Sequence, residues 1–228
     1  DNKKEVKFNS FNSSNLMPRQ TIKLRVLGGD AITELQYQSS AGFWVRSGKR
    51  EYLLTVGHAA DSNHLEFYYL PPEGELDFTL IGQMVIRQTS GVDMGYIMKN
   101  NSEVLAGPII KNPDNTEFPE LQILTVTNPD TEGVVVCKSG FSTHVTCGKI
   151  AGIRDSISRQ SDGLVLYDVV ISDMECREGD SGGPVYQYLE ELLPTVLLVG
   201  MVFGGGDDFC LFHPVRAILL PDMQVIVA

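Results

Sequence analysis

Ser181 stands in Gly179-Asp180-Ser181-Gly182-Gly183-Pro184-Val185, a glycine-flanked turn that can expose its hydroxyl and let backbone N–H groups converge beside it. A serine hydroxyl is a weak nucleophile alone. It becomes effective when a histidine takes its proton, an acid orients that histidine, and N–H donors hold the developing oxyanion. The chain supplies both partners upstream. His58 follows the apolar run Tyr52-Leu53-Leu54-Thr55-Val56 and Gly57, and Asp93 sits in Gly91-Val92-Asp93-Met94-Gly95-Tyr96-Ile97. Asp61 and Asp77 also fall between His58 and Ser181, but the small, apolar surroundings of Asp93 suit a buried, accepting carboxylate. The chemistry predicted is acyl transfer through Ser181, with His58 as general base and Asp93 orienting it. The N–H groups of Gly179 and Ser181 are expected to form the oxyanion hole.

The elements that must position these residues read as strands. Short apolar runs rich in β-branched and aromatic residues recur between turn signals, among them Tyr52–Val56, Phe78–Arg87 and Met94–Met98. A second series follows, including Leu121–Val126, Cys147–Ile153, Leu164–Ile171 and Thr195–Val202. This spacing predicts an all-β barrel or sandwich. The polar stretch Lys111–Pro119, with Asn112, Pro113, Asp114 and Asn115, reads as the connection between two halves. Near the end, Pro214 can sit in a first helical turn, and Val215, Ile218 and Leu219 share a face, so a short C-terminal helix is expected.

The order His58, Asp93, Ser181, with these local contexts, resembles the chymotrypsin-like serine peptidases, and most the streptogrisin-type branch. Val136-Cys137-Lys138-Ser139-Gly140, Thr146-Cys147-Gly148-Lys149-Ile150 and Phe212-His213-Pro214-Val215 carry the likeness further. The resemblance implies two six-stranded antiparallel β-barrels with a short C-terminal helix. Residues 1–18 would form an N-terminal extension, 19–117 the barrel carrying His58 and Asp93, and 118–228 the barrel carrying Ser181. It implies that Asp180 holds the oxyanion loop through an ion pair with an internal base, which Lys138 supplies in the matching place, with Arg154 as the other candidate. It also implies that Val202, Phe203, Gly204 and Gly205 form the substrate-backbone strand and pocket wall. The family usually has a serine where Phe203 falls, and that hydroxyl supports the aspartate; Phe203 has none to offer.

The remaining composition narrows the partners. A net charge of −11 argues against nucleic acid, which needs a basic stripe. No apolar run reaches the roughly eighteen residues a membrane helix needs. Four cysteines allow three pairings. Cys137–Cys147 would close a short loop and Cys176–Cys210 would clamp the nucleophile loop, and the family likeness favours the same choice. Disulfides imply an oxidising compartment, hence secretion. With no C-x₂₋₄-C pair, no metal site is expected, and no cofactor. Asp207 and Asp208 either favour a basic side chain or are solvated loop acids. The expected protein is a secreted, monomeric serine endopeptidase acting on polypeptides. The rival is an inactive double-barrel relative that only binds.

Overall fold

In the computed structural model, residues 23–61, 63–71, 78–158 and 163–228 are described. The expected extension 1–18 and Asp77 lie outside them. The fold is all-β, built on two eight-stranded sheets. The first runs in the order Gln224–Val225, Trp44–Ser47, Arg50–Thr55, Met94–Lys99, Thr79–Gln88, Glu66–Tyr69, Ala31–Thr33, Gln38–Ser40. His58 and Asp93 fall at one end of two of its neighbouring inner strands: His58 follows Arg50–Thr55, and Asp93 precedes Met94–Lys99.

In the second sheet six strands close on themselves. They are Thr195–Gly206, Pro184–Tyr188, Val135–Gly140, His144–Ser158, Val165–Ser172 and Phe209–Pro214, and the last pairs back onto the first. The hairpin Ile109–Lys111 and Glu120–Val126 joins outside this ring, which takes the strand count from six to eight. The loop at 112–119 therefore closes a hairpin of the second sheet, and the chain passes between the sheets ahead of Ile109.

The sheet is not wholly antiparallel as expected: Glu120–Val126 runs parallel to the start of Thr195–Gly206. The reason is a vacancy along that long strand. On one side Pro184–Tyr188 covers only residues 196–201. On the other, Phe209–Pro214 covers 200–206, leaving 195–198 for Glu120–Val126. Residues 203–205 keep one edge that no described strand covers.

Fully buried aliphatic and aromatic side chains fill both sheets, Trp44, Phe67 and Tyr96 in the first and Val136, Val199 and Phe212 in the second. Each such side chain contributes about 1.5–3 kcal/mol. Their polar atoms are satisfied: Trp44 Nε1–H donates to Val26 O at 2.8 Å. Tyr96 hydroxyl donates to Ile218 O at 2.5 Å and accepts from Leu220 N–H at 3.1 Å. The C-terminal helix is a single turn, Val215–Ile218, with Pro214 just before it. Among the described residues no helix is long and apolar enough to cross a membrane.

Candidate active site

His58 occupies a 3₁₀ turn, Gly57–Ala59. Arg87, on the strand Thr79–Gln88, clamps this turn from both sides: its Nε–H donates to Gly57 O at 3.0 Å and Ala60 O at 2.9 Å. Asp93 is buried beneath it. One carboxylate oxygen, Oδ1, accepts the N–H groups of Gly57 at 2.7 Å and His58 at 3.1 Å. The other, Oδ2, lies 2.5 Å from His58 Nδ1. That contact makes Nδ1 the protonated nitrogen of a neutral His58 and leaves Nε2 free to accept a proton. The imidazole is about half exposed, so its free edge faces the cleft. Asp61 instead accepts the N–H groups of Asn63 and His64 in an exposed loop, away from His58.

The turn carrying Ser181 belongs to the second sheet, just ahead of Pro184–Tyr188. Its register is held by Gly182 N–H to Val202 O at 2.8 Å and Gly183 N–H to Asp180 O at 2.9 Å. The first sheet reaches across to it: Ser40 N–H donates to Ser181 O at 2.8 Å, and Ser40 hydroxyl donates to Gly179 O at 2.7 Å. Ser142 hydroxyl donates to Glu178 O at 2.5 Å. A trans peptide points its C=O and N–H in opposite directions. Fixing Glu178 O on the Ser142 side therefore turns Gly179 N–H the other way. Gly179 has φ +97°, the region where glycine carries no steric cost. Among the described residues neither Gly179 N–H nor Ser181 N–H has a protein acceptor. The Ser181 hydroxyl likewise makes no hydrogen bond with His58; such contacts often tighten only with substrate bound.

Asp180 anchors this loop from below. Its Oδ1 accepts Ser142 N–H and Thr143 N–H, both at 3.0 Å. Its Oδ2 accepts Thr143 hydroxyl at 2.6 Å and Arg177 N–H at 2.9 Å, and Lys138 Nζ lies 3.4 Å away. Lys138 also donates to Thr143 hydroxyl and to His144 O. Both members of the ion pair are fully buried, whereas Arg154 lies on the surface beside Glu132. Burial alone would raise the Asp180 carboxyl; the Thr143 hydroxyl, the Arg177 N–H and the Lys138 charge outweigh it and hold it below its ordinary range. Burial lowers the Lys138 ammonium, and the pull of Asp180 opposes that.

Two disulfides stiffen the same region, Cys137–Cys147 and Cys176–Cys210. The second ties Phe209–Pro214, the neighbour of the wall strand, to the residue before the nucleophile loop, and Cys176 N–H donates to Gly206 O at 3.0 Å. A Cβ on Gly205 would stand 2.6 Å from Cys176 Cβ, so there is no room for a substrate side chain at that point. Val202 is also spoken for: it is buried, its N–H donates to Gly183 O, and its O accepts Gly182 N–H. Open space lies one residue earlier. Beside His58 and Asp93 is a cavity of about 410 Å³ lined by Ile157, Leu166, Phe203, Gly204 and Leu211. A Cβ on Gly204 would meet nothing. Asp207 lies at the tip of the hairpin beyond, with Arg177 Nε 3.2 Å away, and does not line this cavity.

Solved structures similar to this one share the double barrel. Thermobifida fusca Protease A matches with a TM-score of 0.71 at 19% identity, covering 90% of this chain and 100% of that one. Cellulomonas bogoriensis chymotrypsin matches with a TM-score of 0.67 at 21% identity, again covering 90% and 100%. Streptogrisin-D of Streptomyces griseus is 25% identical over 198 residues. The chain has the chymotrypsin-like double-barrel fold and is similar to the streptogrisin-like branch. No family model matches it. The match to Streptogrisin-D takes in 83% of this chain but 45% of that protein, so the chain spans about half the length of the curated relative.

Three contributors to the site have no sequence motif of their own. Arg87, Ser40 and Ser142 act through side-chain hydrogen bonds to backbone carbonyls far away in the chain, Arg87 to two of them. Arginine and serine are common surface residues, so only the folded register distinguishes these three.

Proposed function

We propose that this chain is a serine endopeptidase that hydrolyses peptide bonds through an acyl-enzyme. The observation that carries the reading is one arrangement. A half-exposed histidine is oriented by a buried aspartate at 2.5 Å, and the turn carrying Ser181 leaves the N–H groups of Gly179 and Ser181 unclaimed. In this reading His58 Nε2 takes the Ser181 proton as Oγ attacks the scissile carbonyl. Asp93 stabilises the resulting imidazolium. The N–H groups of Gly179 and Ser181 receive the oxyanion, and loss of one such donor typically costs about 10²–10³ in rate. His58 then passes its proton to the leaving amine, and water, activated the same way, releases the acyl group.

The substrate chain lies along the uncovered edge of residues 203–205, adding a strand to the sheet. An apolar side chain of the substrate enters the cavity between Ile157, Leu166 and Phe203. Neither a metal nor an organic cofactor is needed for these steps. The two disulfides fit a secreted enzyme in an oxidising compartment, and the proposed enzyme acts as a monomer.

A fluorophosphonate probe tests the reading. The wild-type chain is expected to be labelled and Ser181→Ala is not. Absence of label on the wild type would leave a double barrel that only binds.

A further inference from the structure

The backbone of Asp93 sits in the loop joining Thr79–Gln88 to Met94–Lys99, which touches the second sheet through Gly91 N–H to Val165 O at 3.1 Å. Phe203, the residue facing it from the wall strand, carries no polar atom. The support comes from His213, on the neighbouring strand Phe209–Pro214, opposite Met201. Asp93 N–H donates to His213 Nε2 at 3.1 Å. On the other side of the ring, Nδ1 lies 3.1 Å from Asp168 O and donates to it. The imidazole is fully buried, and Phe203 stacks on it with ring centroids 4.3 Å apart and planes 24° from parallel.

This geometry permits one form of the ring. A carbonyl on one nitrogen requires N–H there, and an N–H aimed at the other requires a lone pair. His213 is therefore the neutral Nδ1–H tautomer; a second proton would set Nε2–H against Asp93 N–H. Asp168 presents its carbonyl from a left-handed backbone, φ +50°, a conformation that is costly for a non-glycine residue and persists where the surroundings demand it.

We propose that His213 is a positioning residue for Asp93. Its neutral imidazole, clamped between Asp168 O and Phe203, fixes the root of the carboxylate across the two sheets, where the side chain at 203 cannot. Phe203 thereby has a second task besides lining the cavity. It holds the ring flat against the strand. The inference rests on the triad reading above and deepens it.

Three readouts on the intact chain test it: kcat and KM, thermal melting, and the low-field proton resonance of the His58 Nδ1–H that Asp93 accepts. In His213→Gln the amide can still accept from Asp93 N–H and donate to Asp168 O. It is expected to keep the resonance and kcat within about threefold. In His213→Leu the acceptor is gone, and kcat is expected to fall about 10–10²-fold, with KM within about twofold and the resonance shifted or broadened. Equal kcat in Leu and wild type would overturn the proposal. So would Gln losing as much kcat as Leu, since both losses would then reflect packing. If the Leu variant does not fold, Gln decides alone: resonance kept supports the proposal, resonance lost overturns it. The resonance needs no substrate. A wild type that shows it but resists fluorophosphonate would sink the triad reading while leaving the positioning of Asp93 measurable.

Discussion

Asp180 and Asp93 are both buried carboxylates, yet their surroundings are opposite. Every acceptor position of Asp180 is filled from within the second sheet, by Ser142, Thr143, Arg177 and Lys138, and its cationic partner is as buried as itself. Asp93 gives one oxygen to two backbone N–H groups and reserves the other for His58, whose ring is about half exposed. Its backbone is held from the other sheet. A charge that only has to stay put is saturated and sealed. A charge that has to answer a proton moving nearby keeps one partner free to change state, and is fixed everywhere else.

The comparison can be broken in order of expected effect. Asp93→Asn keeps the shape but favours the wrong tautomer of His58; kcat is expected to fall roughly 10⁴-fold with melting almost unchanged. If Asp93 were instead a second scaffold charge, melting would drop with activity. Lys138→Met should do the reverse. It leaves Asp180 buried without its cation, and denaturant titration should show a loss of about 3–5 kcal/mol. A variant as stable as wild type would mean that the hydrogen bonds alone hold Asp180.

Ser142→Ala releases Glu178 O, so the 178–179 peptide can turn its N–H out of the cleft. The expected result is a fall in kcat of about 10–10²-fold at unchanged melting, less than full loss of an oxyanion donor. The smallest effect belongs to Gly204→Ala, whose added methyl meets open space. It should narrow the cavity. Peptide-library cleavage should then shift by about tenfold towards smaller apolar side chains, without loss of overall turnover on small substrates.

Acid separates the two regions again. Asp180 is held below its ordinary range, so its contribution to stability is complete above about pH 4, the unfolded value, and is lost as pH falls through the lower folded value. His213 is lowered chiefly by burial, against the opposing influence of Asp168 and Asp93. Arg216, 3.4 Å from the Asp168 carboxylate, is the nearby cation. The unfolded chain binds the His213 proton first, so stability should already decline below about pH 6.5. Unfolding free energy against pH, for wild type, Asp180→Asn and His213→Gln, checks both windows. The Gln variant should lose the upper decline and keep the lower one.

Much of this was legible beforehand where chemistry is local. The GDSGGP turn, the glycine before His58 and the apolar setting of Asp93 each announce their conformation within a few residues. So do long strands such as Thr79–Gln88 and Thr195–Gly206, though not their ends. Short strands were not legible. Ala31–Thr33 and Gln38–Ser40 are three residues each; they pair with each other, and only the first is held to the sheet by a distant strand, Glu66–Tyr69. His213 reads from sequence as an unremarkable histidine before a proline. Its function depends on a partner 120 residues earlier and on the stack with Phe203, which registers in the folded sheets alone. The parallel pairing of Glu120–Val126 is likewise decided by how much edge Phe209–Pro214 leaves bare.

The last residues bear on all of this through time. Gln224–Val225 pairs with Trp44–Ser47, Ile226 N–H reaches Trp44 O, and Ala228 N–H reaches Ile123 O in the other sheet. The half of the molecule that is synthesised first is thus finished by residues made after the Ser181 half. A nascent chain cannot complete the His58–Asp93 half and then add the Ser181 half to it. Both sheets take contacts from the same segment, so a chain cut short before residue 224 would leave the edge at Trp44–Ser47 open and free Ile123 O in the other sheet.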